Sequence, residues 1–378
     1  MKVKPPSQAF AKPINLAAMV LTHRRLLLAS ADGLSRRTGY AGFAKFMKPG
    51  PLNAITDVPG IQVGHYTDAE NLTGTTVIFP EGGAVAGVDV RGSAPGTRET
   101  DLLNPVNLVE KVQAIVLSGG SAYGLEAAHG VVRYLEEHGL GHPIAELAEP
   151  TVVPIVPAAV LFDLLVGSSK VRPTAEYGYK AAQALSGGPV LQGNVGAGTG
   201  AKNGGLKGGI GTASAVLENG IVVGAIVAAN AHGRSHDAAT GELYGRWLEL
   251  DGEFNLKHTP RAPSPPDYSD VFLSLPFQTS NTVIGVVATN AKLSKVQTQK
   301  VAMMSHDGIA RAVSPAHTMF DGDVIFSLST GVVPIETPAE LSRLGAVAAD
   351  VFARALIHGV LNATSAGGLI SYREKYDL

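Results

Sequence analysis

The sequence predicts an α+β protein, a sandwich of β-sheets covered by helices. Three observations carry that expectation. Short apolar, β-branched runs recur along most of the chain, each bounded by Gly, Pro or Asn turns. Helical periodicity is confined to a few segments. The order of elements is several strands, a helix, more strands, then strand–helix–strand–helix, which suits packed sheets better than a regular βαβ array.

Composition fits this class. Of 378 residues, 45 are Gly, 45% are hydrophobic and 16% are charged, as in a compact chain with much buried sheet. A net charge of −2 gives no global electrostatic case for nucleic acid or an anionic membrane surface. There is no cysteine, which excludes disulfides, thiol catalysis and Cys-ligated metal centres. Charge is uneven, however. Residues 1–50 hold nine Lys/Arg and a single acid, Asp32. Arg24-Arg25 before Leu26-Leu27-Leu28-Ala29 has the look of a twin-Arg export signal. Asp32 and then Arg36-Arg37 cut its apolar run short. The sequence therefore leaves the location open between cytoplasmic and, if the twin-Arg-like head works as a signal, exported to the periplasm. No apolar run approaches the ~20 residues of a membrane span.

The folded body begins at the turn-rich stretch 49–60. Ile61 to Gly64, Thr75 to Phe79 and Ala84 to Val90 read as strands, with Pro80-Glu81-Gly82-Gly83 as a hairpin turn. Thr100 to Val112 reads as a short helix. Gln113 to Leu117 is a buried strand running into Ser118-Gly119-Gly120-Ser121, followed by a helix from Leu125 to His138. Thr151 to Leu165, interrupted by Pro154 and Pro157, is a bent strand or extended buried loop. Asn194 to Gly211 is glycine-rich. Ala213 to Leu217 and Ile221 to Ala229 form a hairpin over Glu218-Asn219-Gly220. Residues 231–270, polar and Pro-rich, read as a long exposed connection. Val283 to Thr289 is a strand, Leu293 to Ala312 an amphipathic helix and Asp323 to Leu328 a strand. Thr337-Pro338-Ala339-Glu340 is a capping box opening a helix with Leu341, Leu344, Val347, Val351 and Leu356 on one face. That helix is expected to end near Asn362.

Five groups of residues have chemical potential. Ser121 sits between strand and helix, where a nucleophile elbow places its serine, but Tyr123 stands where that motif needs Gly. Gly196-Ala197-Gly198-Thr199-Gly200-Ala201 spells a dinucleotide fingerprint without a helix to open. Its glycines instead permit close backbone approach, and Lys202 and Lys207 lie in the same loop. His232, His236 and Asp237 imitate a metal cluster but read as solvated loop residues. Asp321-Gly322-Asp323 puts two acids at i and i+2, on one side of an extended segment. Asn230 ends a strand, where its amide either forms a turn or donates to an oxyanion. Thr282 stands at the mouth of a buried strand. A Thr there is usually only a strand residue, yet it becomes a nucleophile if the chain is cut before it and its freed α-amine serves as base.

From Asn53 onward the chain resembles the DmpA-type self-processing aminopeptidases, a family that includes β-peptidyl aminopeptidases and nylon-oligomer (6-aminohexanoate) hydrolases. The resemblance rests on Asp57-Val58-Pro59-Gly60-Ile61-Gln62-Val63-Gly64-His65, Ala86-Gly87-Val88-Asp89-Val90-Arg91-Gly92, Leu117 to Leu125, Gly193 to Gly200, Lys207 to Ser214, Asn281-Thr282 and Asp321-Gly322-Asp323. It implies an αββα sandwich, a single domain processed into an α chain (51–281) and a β chain (282–378) behind the basic extension 1–50. It also implies autocleavage between Asn281 and Thr282 with Thr282 as nucleophile, Asn230 as oxyanion donor, and Asp321 and Asp323 near the nucleophile's amine. Lys202 and Lys207 compete for the family's site lysine. Phe162 replaces a family tyrosine and, with Ser121, is expected to line the substrate site. No metal or organic cofactor is implied. The expected partners are a small amide or peptide substrate and further copies of the αβ unit, as a tetramer, with no nucleic acid. Two alternatives differ in class: an unprocessed serine hydrolase using Ser121, and a non-enzymatic binding protein on the same fold.

Overall fold

The computed structural model describes residues 47–144, 147, 149, 151–257 and 281–376. The basic head up to residue 46, its twin-Arg pair included, lies outside the described residues, as does the stretch 258–280 of the polar connection. The body that begins at Met47 is one compact unit.

The described residues form sixteen strands: β1 (Met47–Lys48), β2 (Ile61–Asp68), β3 (Thr73–Pro80), β4 (Ala84–Val90), β5 (Gly96–Arg98), β6 (Lys111–Val112), β7 (Ile115–Ser118), β8 (His142–Ile144), β9 (Thr151–Val153), β10 (Ala158–Val160), β11 (Lys202–Asn203), β12 (Leu206–Lys207), β13 (Ile210–Leu217), β14 (Val222–Ala228), β15 (Ile284–Lys292) and β16 (Val324–Pro334). The described helices are α1 (Ala127–Glu137), α2 (Ala175–Gln183), α3 (Lys295–Ala312), α4 (Pro338–Leu361) and the short α5 (Tyr372–Tyr376). A seven-stranded sheet runs β1-β13-β14-β15-β16-β4-β6, and a five-stranded sheet runs β2-β3-β7-β10-β5.

The two sheets face each other, and α3/α4 and α1/α2 cover their outer faces, giving an αββα sandwich. Strand alternation builds the layers. Ile78, Ile115 and Leu117 point inward and join Ala86, Val88, Ile226, Ile284, Val286 and Phe326 in the core between the sheets. Their neighbours Val77, Phe79, Ala114 and Val116 point outward and pack on Ala127, Val131, Leu135 and Ala181 of the helices.

Several expectations are corrected. The turn after Pro80 exists, with the Gly83 N–H donating to the Pro80 carbonyl at 3.0 Å, but it is no hairpin. β3 and β4 part into different sheets, so this turn is the crossover between layers. Thr100 to Val112 is not a helix. A single 3₁₀ turn, Asp101–Leu103, stops before Pro105, and β6 pairs with β4. α2 has no counterpart in the sequence reading.

α4 begins with the predicted capping box: Thr337 Oγ1 accepts from the Glu340 N–H at 3.2 Å, and the Glu340 carboxylate accepts from the Thr337 N–H at 2.9 Å. The expected single apolar face holds only for its first turns. From Val347 to Leu361 every residue is buried. By length and hydropathy alone α4 passes for a membrane span, contrary to the sequence reading, but 94% of its most apolar window is buried inside the protein. In α3, Val296 was assigned to the apolar face and is 64% exposed.

Candidate active site

Strand register assembles the site. β15 and β16 are parallel neighbours joined by α3, with Ile284 opposite Val324. Both strands therefore start at the same end of the sheet, and the bridge Asn281↔Asp321 extends the pairing outward. β14 is antiparallel to β15, with Ala228 opposite Ile284, so it ends where β15 begins. β4 is antiparallel to β16, with Val90 opposite Val324, so the loop after it crosses the same end. Asn230, Asn281, Thr282, Asp321 and Asp323 thus meet at one end of the seven-stranded sheet, although they are far apart in sequence.

At the centre is the Asn281–Thr282 peptide, with both residues buried. The Thr282 hydroxyl donates to the Asn281 carbonyl oxygen at 2.5 Å, and the Gly322 N–H donates to the same oxygen at 2.9 Å. The Thr282 N–H donates to the Asn230 carbonyl at 2.8 Å. The Asn281 side chain donates to the carbonyls of Lys202 and Ala231, each at 3.2 Å. Gly322 is required by close approach. A Cβ there would lie 2.3 Å from the Ala94 carbonyl and 2.9 Å from Thr282 Oγ1.

Asn230 is fully buried and polarised in one direction. Its Oδ1 accepts the Lys202 N–H at 2.8 Å, while its Nδ2 has no hydrogen-bond partner among the described residues. A buried amide donor left without an acceptor carries a desolvation cost, unless something else fills its place.

The two acids are held differently. Asp321 accepts from the His232 N–H (2.9 Å), the Thr318 N–H (2.9 Å) and the Thr318 hydroxyl (2.6 Å). Burial, and then the neighbouring Asp323 charge, push its carboxyl above the ordinary range despite those donors. Asp323 accepts the Val283 N–H at 2.8 Å on one oxygen and meets His317 Nδ1 at 2.7 Å on the other. His317 was not singled out in the sequence. The loop of residues 91–94 caps both acids from outside through N–H bonds to the Asp321 and Asp323 carbonyls.

The two candidate lysines separate. Lys207 is fully buried, and its amine donates to the carbonyls of Gly198 (3.2 Å), Ala201 (3.1 Å) and Gly208 (2.6 Å). Burial brings it down to about 7, with the Asp163 charge acting the other way. It braces the glycine loop from within. Lys202 touches the site through its main chain, on Asn230 and Asn281. Its own amine is half-buried and depressed by burial, and makes no hydrogen bond among the described residues. Gly196–Gly198 forms a 3₁₀ turn and opens no α-helix, so the fingerprint lacks the context a nucleotide needs.

Ser121 and Phe162 are brought together with each other, in the turn after β7 on the five-stranded sheet. The Ser121 N–H donates to the Leu161 carbonyl, and Asp163 accepts from the Gly120 N–H and the Thr73 hydroxyl. Ser121 has a left-handed backbone (φ 55°), and its hydroxyl has no histidine or carboxylate partner among the described residues. It lacks the base a serine nucleophile needs. No hydrogen bond joins Ser121 or Phe162 to Thr282.

His232, His236 and Asp237 are not solvated. All three are buried, the His236 ring lying 5.8 and 5.3 Å from those of Tyr372 and Tyr376. The described part of the polar connection is folded inward, and several of its polar groups are hydrogen-bonded there, although both ring nitrogens of His236 find no hydrogen-bond partner among the described residues. Asp237 accepts the N–H groups of Ala239 and Thr240, Asn203 donates to the Ser235 hydroxyl, and the Tyr372 hydroxyl donates to the Gly241 carbonyl. Among the described residues no cluster of three or more His, Asp or Glu could hold a metal ion.

Comparison with known proteins places this geometry. The profile of peptidase family S58 matches residues 53–372. An uncharacterized aminopeptidase of Mycobacterium bovis is 47% identical over 350 residues, covering 86% of this chain and 98% of its own. The 6-aminohexanoate-oligomer endohydrolase of Kocuria sp. (strain KY2) is 32% identical over 316 residues, covering 78% of this chain and 82% of its own. Among solved structures, the Ochrobactrum anthropi L-aminopeptidase D-Ala-esterase/amidase, described as a variant of the Ntn hydrolase fold, superposes with a TM-score of 0.66 at 23% identity. It covers 87% of this chain and 95% of that one. A Burkholderia sp. beta-aminopeptidase gives 0.65 at 24% identity, covering 89% and 96%. These last two likenesses concern the fold.

Proposed function

Since the chain belongs to peptidase family S58, and is a hydrolase of the aminopeptidase and amide-cleaving kind, we propose that it cuts its own Asn281–Thr282 bond and then works through Thr282. The observation that carries this reading is the contact between the Thr282 hydroxyl and the carbonyl oxygen just before it, an oxygen that also accepts from Gly322.

In the first stage Thr282 Oγ1 adds to the Asn281 carbonyl carbon. The Gly322 N–H faces the oxygen on which negative charge develops. The C–N bond breaks, the Thr282 nitrogen takes the hydroxyl proton and leaves as an amine, and water hydrolyses the remaining ester. In the second stage that α-amine, with an ordinary pKa of ~7.7–8, accepts the Thr282 hydroxyl proton near neutral pH. The oxygen attacks a substrate amide, and the departing amine takes the proton. Water then releases the acyl group. Asn230 Nδ2, buried and without an acceptor among the described residues, is the donor for the substrate oxyanion. One such donor is worth roughly 3–4 kcal/mol of barrier. Asp321 and Asp323 orient the new terminus, and the Lys202 amine supplies positive charge beside it.

The substrate is a small amide with a free amino end: a short peptide, an amino-acid amide or ester, or an ω-amino acid oligomer of the kind named for the Kocuria relative. The α chain would end at Asn281 and the β chain begin at Thr282, and the two would stay together because β15 lies between β14 and β16.

Intact-mass measurement tests the reading. The wild-type protein is expected as two chains, ending at 281 and starting at 282, and Thr282→Ala as one uncut, inactive chain. A wild-type chain that stays whole while hydrolysing substrate overturns it.

A further inference from the structure

We propose that His317 is a positioning residue for Thr282, acting through Asp323: its imidazole holds that carboxylate aimed at the nucleophile's end of β15. The inference rests on the reading of Thr282 given above.

Asp323 is 1% exposed and shares its surroundings with Asp321. Two carboxylates this close resist ionising together, and burial makes the resistance greater. The three donors on Asp321 come from the backbone of His232 and from Thr318. Among the described residues Asp323 has the Val283 N–H and the His317 imidazole. Among the described residues His317 therefore supplies the side-chain donor on Asp323, as the Thr318 hydroxyl does on Asp321. The Val283 bond fixes the residue directly after the nucleophile, so the His317–Asp323–Val283 line ends one peptide from Thr282.

The backbone of His317 is left-handed (φ 53°), a conformation uncommon outside Gly in which His, like Asn and Asp, is enriched. Behind it on α3 stands His306, with ring centroids 5.0 Å apart. His306 faces the Asp89 carbonyl at 2.9 Å and its carboxylate at 3.7 Å, with Arg91 beyond. Burial brings the His306 ring down to about 4, so it is a neutral spacer that leaves His317 directed at Asp323. The His317 side chain remains 21% exposed, whereas that of Asp323 is 1% exposed, so the imidazole can be replaced from solvent.

Three proteins test this: wild type, H317A and H317N, each first examined by intact mass and then assayed on amino-acid amides and 6-aminohexanoate oligomers. Asn tolerates the left-handed backbone and keeps an N–H donor for Asp323. The expected kcat loss in H317A is about 10- to 100-fold, the size of losing a charge-assisted hydrogen bond, with KM changed far less. H317N should recover to within roughly fivefold of wild type, and added imidazole should raise the activity of H317A alone. A purely structural role would lower stability without imidazole rescue. If H317A fails to fold or to cut itself, H317N decides: near-wild-type kcat supports the proposal, and inactivity overturns it. Wild-type kcat in H317A also overturns it. These failures are separable from failure of the Thr282 reading, which shows as an uncut but active wild type.

Discussion

Asn230 uses its two amide atoms in different directions. Oδ1 anchors the Lys202 N–H, and Nδ2 faces no acceptor among the described residues although the residue is completely buried. The substitution that isolates the second function is Asn230→Asp, which keeps an acceptor for Lys202 and removes the donor. In steady-state assays kcat should fall by about 10²–10³, or roughly 2.7–4 kcal/mol, with much less change in KM. Unchanged kcat would show that the oxyanion is held elsewhere. The grouping of this residue with Thr282 and the acid pair was legible, because each stands at a strand end and the strands' order and polarity bring those ends together. The lysines were not legible. Lys202 and Lys207 are equally spaced along a glycine loop, and only the folded loop shows that Lys207 turns its amine onto three carbonyls inside it. His317 was missed for a related reason. A lone histidine before a Phe-Asp-Gly-Asp turn has no periodicity to mark it, and its partner is six residues away across a tight turn.

At the scale of elements, α4 shows how polar groups are carried into a core. Its second half is buried all round, yet it includes Arg354 and His358. Arg354 grips Glu253 through Nε and Nη2 (2.5 and 2.7 Å) and also donates to Asn53 and the Ser214 carbonyl. His358 meets Glu253 at 2.9 Å. Burial alone would push the Glu253 carboxyl up. Hydrogen bonds from His358 and Arg354, with their charges, outweigh burial and bring it down to about 2. A carboxyl depressed in the fold adds stability above its unfolded value and loses it as pH falls. The window here runs from 4.5 down to about 2. Glu253→Gln leaves a buried guanidinium without its partner and should cost about 3–5 kcal/mol at pH 7. Melting temperatures should show the variant less stable at pH 7 and converging with wild type toward pH 2. Parallel curves would mean that Glu253 does not titrate as described. Sequence showed α4 by its capping box, but not its burial, because a helix covered on every side has no polar stripe to give its surroundings away. The connection 231–257 deceived in the opposite sense. Its polarity suggests solvent, and His232, Ser235, His236 and Asp237 are instead buried inside the protein.

For the molecule as a whole, a sandwich of sheets covered by helices was legible from the order of the elements, the αββα layering came from the family resemblance, and the layer boundary was not legible. Nothing in Pro80-Glu81-Gly82-Gly83 distinguishes a turn that keeps two strands side by side from one that sends the second strand to another sheet. What decides is the partner each strand finds: β7 for β3, and β16 for β4. That choice also decides what cleavage would do to the body. β15 would belong to one chain and both sides of its surroundings to two, since β14 precedes the cut and β16 follows it. Separating the chains would expose the middle of the larger sheet, so the pair should migrate as one species without denaturant.

The Thr282 hydroxyl rests against the carbonyl of its own preceding residue, sealed from solvent by the folded sheet. Attacking and attacked groups belong to the same molecule, so the proposed cleavage would be a unimolecular event. Its half-life should be the same in a concentrated sample and in one diluted about a hundredfold, since no encounter between molecules is needed. A half-life that lengthens on dilution would mean that one copy cuts another. In kinetic terms the register of two parallel strands has set a reaction order.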